Sequence, residues 1–76
     1  MPGPLTEAIA SILREAVESR GLLQRQVADA IGQSQTQVSR YLRGEVTMDA
    51  EEIDKMCRAV GLNIADVITR ADKARD

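Results

Sequence analysis

The stretch Gln24-Arg25-Gln26-Val27-Ala28-Asp29-Ala30-Ile31-Gly32-Gln33-Ser34-Gln35-Thr36-Gln37-Val38-Ser39-Arg40-Tyr41-Leu42 decides the reading of this 76-residue chain. Val27, Ala28 and Ile31 fall on one face of a short helix that stops at Gly32, and Val38, Tyr41 and Leu42 recur at helical spacing in a second. Ser34 caps the second helix, its hydroxyl accepting a backbone N–H. Gly32 stands in a turn expected to be too tight for most residues that carry a Cβ. Ala28 lies on the inner face of the first helix, where a small side chain lets two helices cross closely at a steep angle. Val27, Ile31, Val38 and Leu42 form the core under the turn. Gln35, Thr36, Gln37, Ser39 and Arg40 are left facing outward.

Upstream, Leu5, Ile9, Ile12, Leu13, Ala16 and Val17 keep helical spacing, with Thr6 as the expected N-cap and Gly21 after the end, so a helix is predicted over about Thr6 to Arg20. Downstream, Gly44 ends the outward-facing helix. Asp49 with Glu52 three residues on opens a fourth, with Ile53, Met56, Cys57 and Val60 inward and Gly61 at its close. Asn63 and Asp66 repeat the cap pattern for a fifth helix through about Ala71. No sustained period-two alternation marks a strand, and no internal repeat is present. The expectation is all-α: one compact five-helix domain over residues 5–71, with a flexible N-terminus at 1–4 and a loose tail at 72–76.

Composition narrows the function classes. Hydrophobic residues make up 43% and charged residues 29% of the chain, which points away from disorder. One Cys and no His leave neither an internal disulfide nor a Cys/His zinc site, so no metal and no cofactor is expected. Without a membrane-length apolar run or a signal-peptide pattern at MPGPLTE, a reducing, cytoplasmic setting follows, with no membrane partner. An enzyme is the weakest reading. There is no P-loop, no His, no paired-carboxylate motif with supporting context, and little bulk for a substrate pocket, so no small-molecule ligand is assigned.

The net charge of −2 argues mildly against a nonspecific polyanion binder, yet its distribution is uneven. From Gln24 to Gly44 the charges are Arg25, Arg40 and Arg43 against Asp29, a net of +2, whereas Glu45 to Asp76 carries eight acids and five bases. Affinity for a polyanion needs a local basic footprint, not a basic total. The outward inventory of the third helix suits reading base edges: amides pair with adenine, Arg with guanine, and a Thr methyl meets the thymine methyl.

Taken in register, these features resemble the Cro/phage-repressor (XRE) helix-turn-helix family, the lambda-repressor-like fold, over about Leu13 to Ile68. The marks are Gln24 opening helix two, Ala28 and Gly32 at the tight positions, Ser34 before the third helix, Val38 inward, Gly44 after it, and Ala59-Val60-Gly61-Leu62-Asn63 before the last helix. The resemblance implies sequence-specific binding of double-stranded DNA by a phage or bacterial transcriptional regulator, most simply a repressor, in the bacterial cytoplasm or nucleoid. It implies that Gln24 touches a phosphate and braces Gln35, and that Gln35 then offers its amide to a base. Thr36, Gln37, Ser39 and Arg40 match further positions used for base or phosphate contact. Arg43 and Thr47 approach the DNA backbone, with Arg25 a weaker phosphate candidate. Since one small module reads few base pairs, a homodimer on a palindromic operator is expected, with half-sites about one helical turn apart. Ile64, Val67, Ile68 and Ala71 of the last helix are nominated for the dimer contact.

The chain also departs from that family. Leu23 stands where Thr or Ser commonly caps helix two, so that cap is weak or supplied otherwise. Val17 and Leu42 replace an inward Arg–Glu pair together, leaving neither charge unpaired, and are expected to touch. Among plainer readings, Cys57 is a buried, inert thiol, Tyr41 a partly buried packing residue, Met48 and Met56 packing residues, and Glu51, Glu52 and Asp54 a solvated face. A second function stays open: an interaction module or antitoxin-like partner that keeps the fold without reading DNA, which the acidic total and scarce Lys slightly favour.

Overall fold

Helix boundaries follow from local chemistry. The computed structural model describes residues 2–74 and contains five α-helices: α1 (Pro4–Ser19), α2 (Gln24–Ile31), α3 (Gln35–Leu42), α4 (Ala50–Val60) and α5 (Ile64–Ala74). At three of the five starts a polar side chain accepts backbone N–H groups. Ser34 Oγ accepts from Gln37 N at 3.1 Å, Asp49 Oδ1 from Glu52 N at 2.8 Å, and Asn63 Oδ1 from Ala65 N at 2.9 Å. Glu52 Oε1 returns the bond from Asp49 N at 2.8 Å, completing the expected capping box. At α2 no side chain caps the first helical N–H groups, since Leu23 has no acceptor; only the reciprocal bond forms, with Gln26 Oε1 accepting from Leu23 N at 2.8 Å.

Three expectations need correction. Thr6 is not the N-cap of α1; the helix starts two residues earlier, with Gly3 as N-cap and Pro4 in the first turn, where its fixed φ suits a helix and its missing N–H costs nothing. The last helix runs past Ala71 to Ala74, because Asp72, Lys73 and Ala74 hold no breaker. The rest of the proposed loose ends, Met1, Arg75 and Asp76, lies outside the described residues. Gly32 has nothing within 4 Å of where a Cβ would stand. What the position demands is its backbone, held left-handed at φ 71° and ψ 31°.

One core joins all five helices. Leu13, Val38, Met56, Cys57, Val67 and Ala71 are fully enclosed, and Val17 and Leu42 are buried in the same cluster. α1 packs most extensively on α5, while α2 lies against α3 and α4. Ala28, 3% exposed, is the small residue at the inner face of α2. The expected spare apolar surface on α5 is largely used here. Val67 and Ala71 are completely buried within the chain and have nothing left for a dimer contact, and Ile64 is half-buried against the core. Ile68, 38% exposed, is the one of the four that faces solvent.

Since backbone conformation and not crowding sets the demand at Gly32, Gly32→Ala should destabilise the fold by about 1–2 kcal/mol. Gly32→Asn should cost less, because Asn visits that region more readily. Urea unfolding midpoints at constant slope measure both; equal stability of the Ala variant and the parent would contradict the assignment.

Candidate nucleic-acid interface

α2 and α3 each begin with a glutamine, and their first residues face a common space. Gln24, the opening residue of α2, and Gln35, the opening residue of α3, line one open concavity with Thr36, Ser39 and Arg43, with a volume of about 300 Å³. No acidic side chain lines it. Two helix starts, each with backbone N–H groups that lack an intrahelical acceptor, therefore border a space whose one formal charge is an arginine. Such an environment favours a phosphate oxygen, while the hydroxyl and amide groups of α3 can hydrogen-bond a base edge. Gln24 and Gln35 share the space without a hydrogen bond between them among the described residues, so both amides can engage a ligand.

The other proposed contacts sit around this centre. Arg40 is exposed in the last turn of α3, Arg25 is exposed on the first turn of α2, and Thr47 is exposed on the segment between α3 and α4. None of these three lines the concavity. Arg43 does, but its guanidinium also pairs with Glu45, Nε to Oε2 at 2.8 Å, with both side chains about half exposed. An exposed pair of this kind is worth at most about 1 kcal/mol, so a phosphate can compete for the arginine. Gln37 differs from its neighbours. It is half-buried and does not line the concavity.

Several residues that hold this surface were not legible from the pattern. Arg14, on α1, donates from Nη1 to Leu42 O at 2.8 Å and so closes the C-terminal end of α3. Arg20 donates in the same manner to Val60 O at the end of α4. An arginine on the polar edge of a helix carries no sign in sequence of which distant carbonyl it will reach. Glu52 is likewise more than a member of a solvated face: besides capping α4 it accepts a hydrogen bond from the Tyr41 hydroxyl. Tyr41 itself is 2% exposed, a core residue whose polar tip has a partner. Asp54 pairs with Arg58 one turn on, and no group of three or more acidic, His or Cys side chains among the described residues is placed to hold a metal ion.

Two groups titrate away from their ordinary values. Burial pushes the Tyr41 phenol up from 10.0, and the hydrogen bond to Glu52 adds to the rise, while Gln37 opposes it. Burial also pushes up the Cys57 thiol, with the nearby Asp54 charge in support, which suits an unreactive core cysteine.

With this geometry in view, the comparisons with known proteins agree. A helix-turn-helix family model matches residues 13–67, and the chain belongs to that family, in its XRE type. Two crystal structures of the clp gene regulator ClgR from Corynebacterium glutamicum resemble it. One is 30% identical, with a TM-score of 0.83, over 92% of this chain and 91% of that one. The other is 28% identical, with a TM-score of 0.86, over 99% of this chain and 80% of that one. No curated relative matches the chain. Family and fold are those of DNA-binding regulators, which are typically not enzymes. Among the described residues no helix is long and apolar enough to cross a membrane.

Tyr41 is the only aromatic residue, so tyrosinate absorbance reports on one site. Its midpoint should lie above 10, and Glu52→Gln should bring it down towards 10. Because the folded state holds the protonated phenol more tightly than the unfolded chain, this contribution to stability is complete below the unfolded value and is lost as pH rises through the folded one. A native midpoint at or below 10, read by spectrophotometric titration, would contradict the burial of the hydroxyl.

Proposed function

We propose that this protein is a sequence-specific, double-stranded DNA-binding transcription regulator, acting as a homodimer on a palindromic operator in a bacterial or phage setting. The acid-free concavity between the starts of α2 and α3, backed by the amide and hydroxyl face of α3, is the observation that carries this reading. In the proposed complex α3 enters the major groove. Gln35, Thr36, Gln37, Ser39 and Arg40 meet base edges, and Gln24, Arg25, Arg43 and Thr47 hold the flanking phosphates. Phosphate contacts set register, and the α3 face supplies the discrimination. The solved structures that resemble the chain are gene regulators, which supports the same assignment.

Repression is the simplest mode, since occupancy of a promoter site suffices to exclude other proteins from it. A dimer is favoured by arithmetic: one helix spans too few base pairs for tight specific binding, and two half-sites add their free energies. On α5 the residue available to such a contact is Ile68. The place of action is the bacterial cytoplasm or nucleoid.

Selection of bound duplexes from random DNA should yield a palindromic site. On that site Gln35→Ala should lose about 1–3 kcal/mol, concentrated at one base position. Arg43→Ala should weaken binding to all sequences alike and flatten the salt slope by about one unit. Ile68→Asp should leave the circular dichroism spectrum unchanged and lower both self-association and operator affinity. If Gln35→Ala and Arg43→Ala both bind as the parent does, the contact assignment is wrong. Salt-insensitive or absent DNA binding together with a stable complex to another protein would select the interaction-module reading instead.

A further inference from the structure

The chain turns back directly after α3, and the turn brings two opposite charges together. Gly44 takes a left-handed backbone at φ 71°, its N–H donates to Tyr41 O at 3.1 Å, and Glu45 N donates to Arg40 O at 3.0 Å. These paired bonds form a Schellman closure, which holds residues 43–45 against the end of the helix. Arg14 Nη1 fastens the same end by donating to Leu42 O at 2.8 Å. Side chains two positions apart on a helix do not face each other. Across the glycine, Arg43 and Glu45 do meet, Nε to Oε2 at 2.8 Å, with Nη2 3.5 Å from Oε1. Both carboxylate oxygens thus face one edge of the guanidinium, as two oxygens of a phosphate would. Among the residues that line the concavity between α2 and α3, Arg43 alone is charged, and Glu45 is not one of them. In the free protein the one cation of the site is therefore balanced from just outside it.

We propose that Glu45 is a resident competitor for the DNA phosphate: it occupies the edge of Arg43 that a backbone phosphate takes in the complex, and it must be displaced before that contact forms. The inference rests on the DNA-binding function proposed above and deepens it by naming a residue that sets binding strength without touching the nucleic acid. The exchange leaves no buried charge behind. Both side chains are about half exposed, so the carboxylate moves into water as the phosphate arrives. Its effect is the same on every sequence, because a phosphate carries no base identity. Glu45 thereby lowers affinity for all DNA alike and leaves discrimination to the α3 face.

Two probes test this: the duplex that the parent selects from random DNA, and an unrelated duplex of equal length. Glu45→Gln removes the charge while keeping the side-chain shape and the backbone closure of α3. It should tighten binding to both duplexes by roughly twofold to fivefold for each copy bound, the range that an exposed ion pair supplies. In an Arg43→Ala background the same change should give a smaller gain, because no guanidinium remains to be released. In the free protein the Arg43 Nε–H resonance should shift on Glu45→Gln.

Weaker or unchanged binding by Glu45→Gln would overturn the inference, since the carboxylate would then orient Arg43 or leave it indifferent. Equal gains with and without Arg43 would overturn it as well, because Glu45 would then act as a general surface charge. An Arg43 resonance that does not move in the free protein has the same consequence. If the parent binds neither duplex and selection enriches no sequence, the DNA-binding function itself fails.

Discussion

The whole interface depends on a three-residue turn. Gly32 reverses the chain in a left-handed backbone, Gln33 N bonds back to Ala28 O at 3.1 Å, and Ser34 in an extended conformation starts α3. With that turn closed and Ala28 at the inner face, α3 sits against α2 with Val27 and Val38 beneath it and its polar face outside. Everything that gives the surface its character follows from this placement. The two glutamines come to border one space, and Arg43 joins them from the end of α3. A longer or looser connection would leave the same side chains on two helices that do not converge.

The remaining helices serve as a frame for that pair, and their polar links are concentrated at helix ends. Arg14 on α1 and Arg20 at its C-cap close the last carbonyls of α3 and α4, where positive charge also complements the helix dipole. The Tyr41–Glu52 link joins the last turn of α3 to the first turn of α4, across the segment that carries Arg43 and Thr47. These ties place donors and acceptors where burial alone would leave them unmet, and no buried side-chain N or O among the described residues lacks a partner. The apolar replacement at Val17 and Leu42 fits the same economy. Both side chains are buried there, and Arg14, one turn before Val17, reaches the end of α3 through its backbone carbonyl.

Much of this architecture is legible in the sequence. The periods of Val27, Ala28 and Ile31 and of Val38, Tyr41 and Leu42, the cap residues Ser34, Asp49 and Asn63, and the glycines that end helices are local signals, each acting within about one turn of the chain. Local signals mislead where they have a rival. Thr6 lost to Pro4 at the start of α1, since proline is suited to the first turn of a helix. An apolar stripe such as that of α5 does not state what covers it; α1 packs on it, and Val67 and Ala71 are enclosed within the chain.

The sequence by itself determined the helices, their inward faces and the polar set on α3, because periodicity and capping act over a few residues. Only the tertiary structure decided which of those polar groups converge: Gln24, Gln35, Thr36, Ser39 and Arg43 around one concavity, with Arg25, Arg40 and Thr47 outside it. It also decided that Gln37 is half-buried away from that concavity, and that Glu52, eleven positions along the chain from Tyr41, meets its hydroxyl. The physical reason is that hydrogen bonds between helices depend on crossing geometry, which is set by packing throughout the core and not by any single stretch of chain.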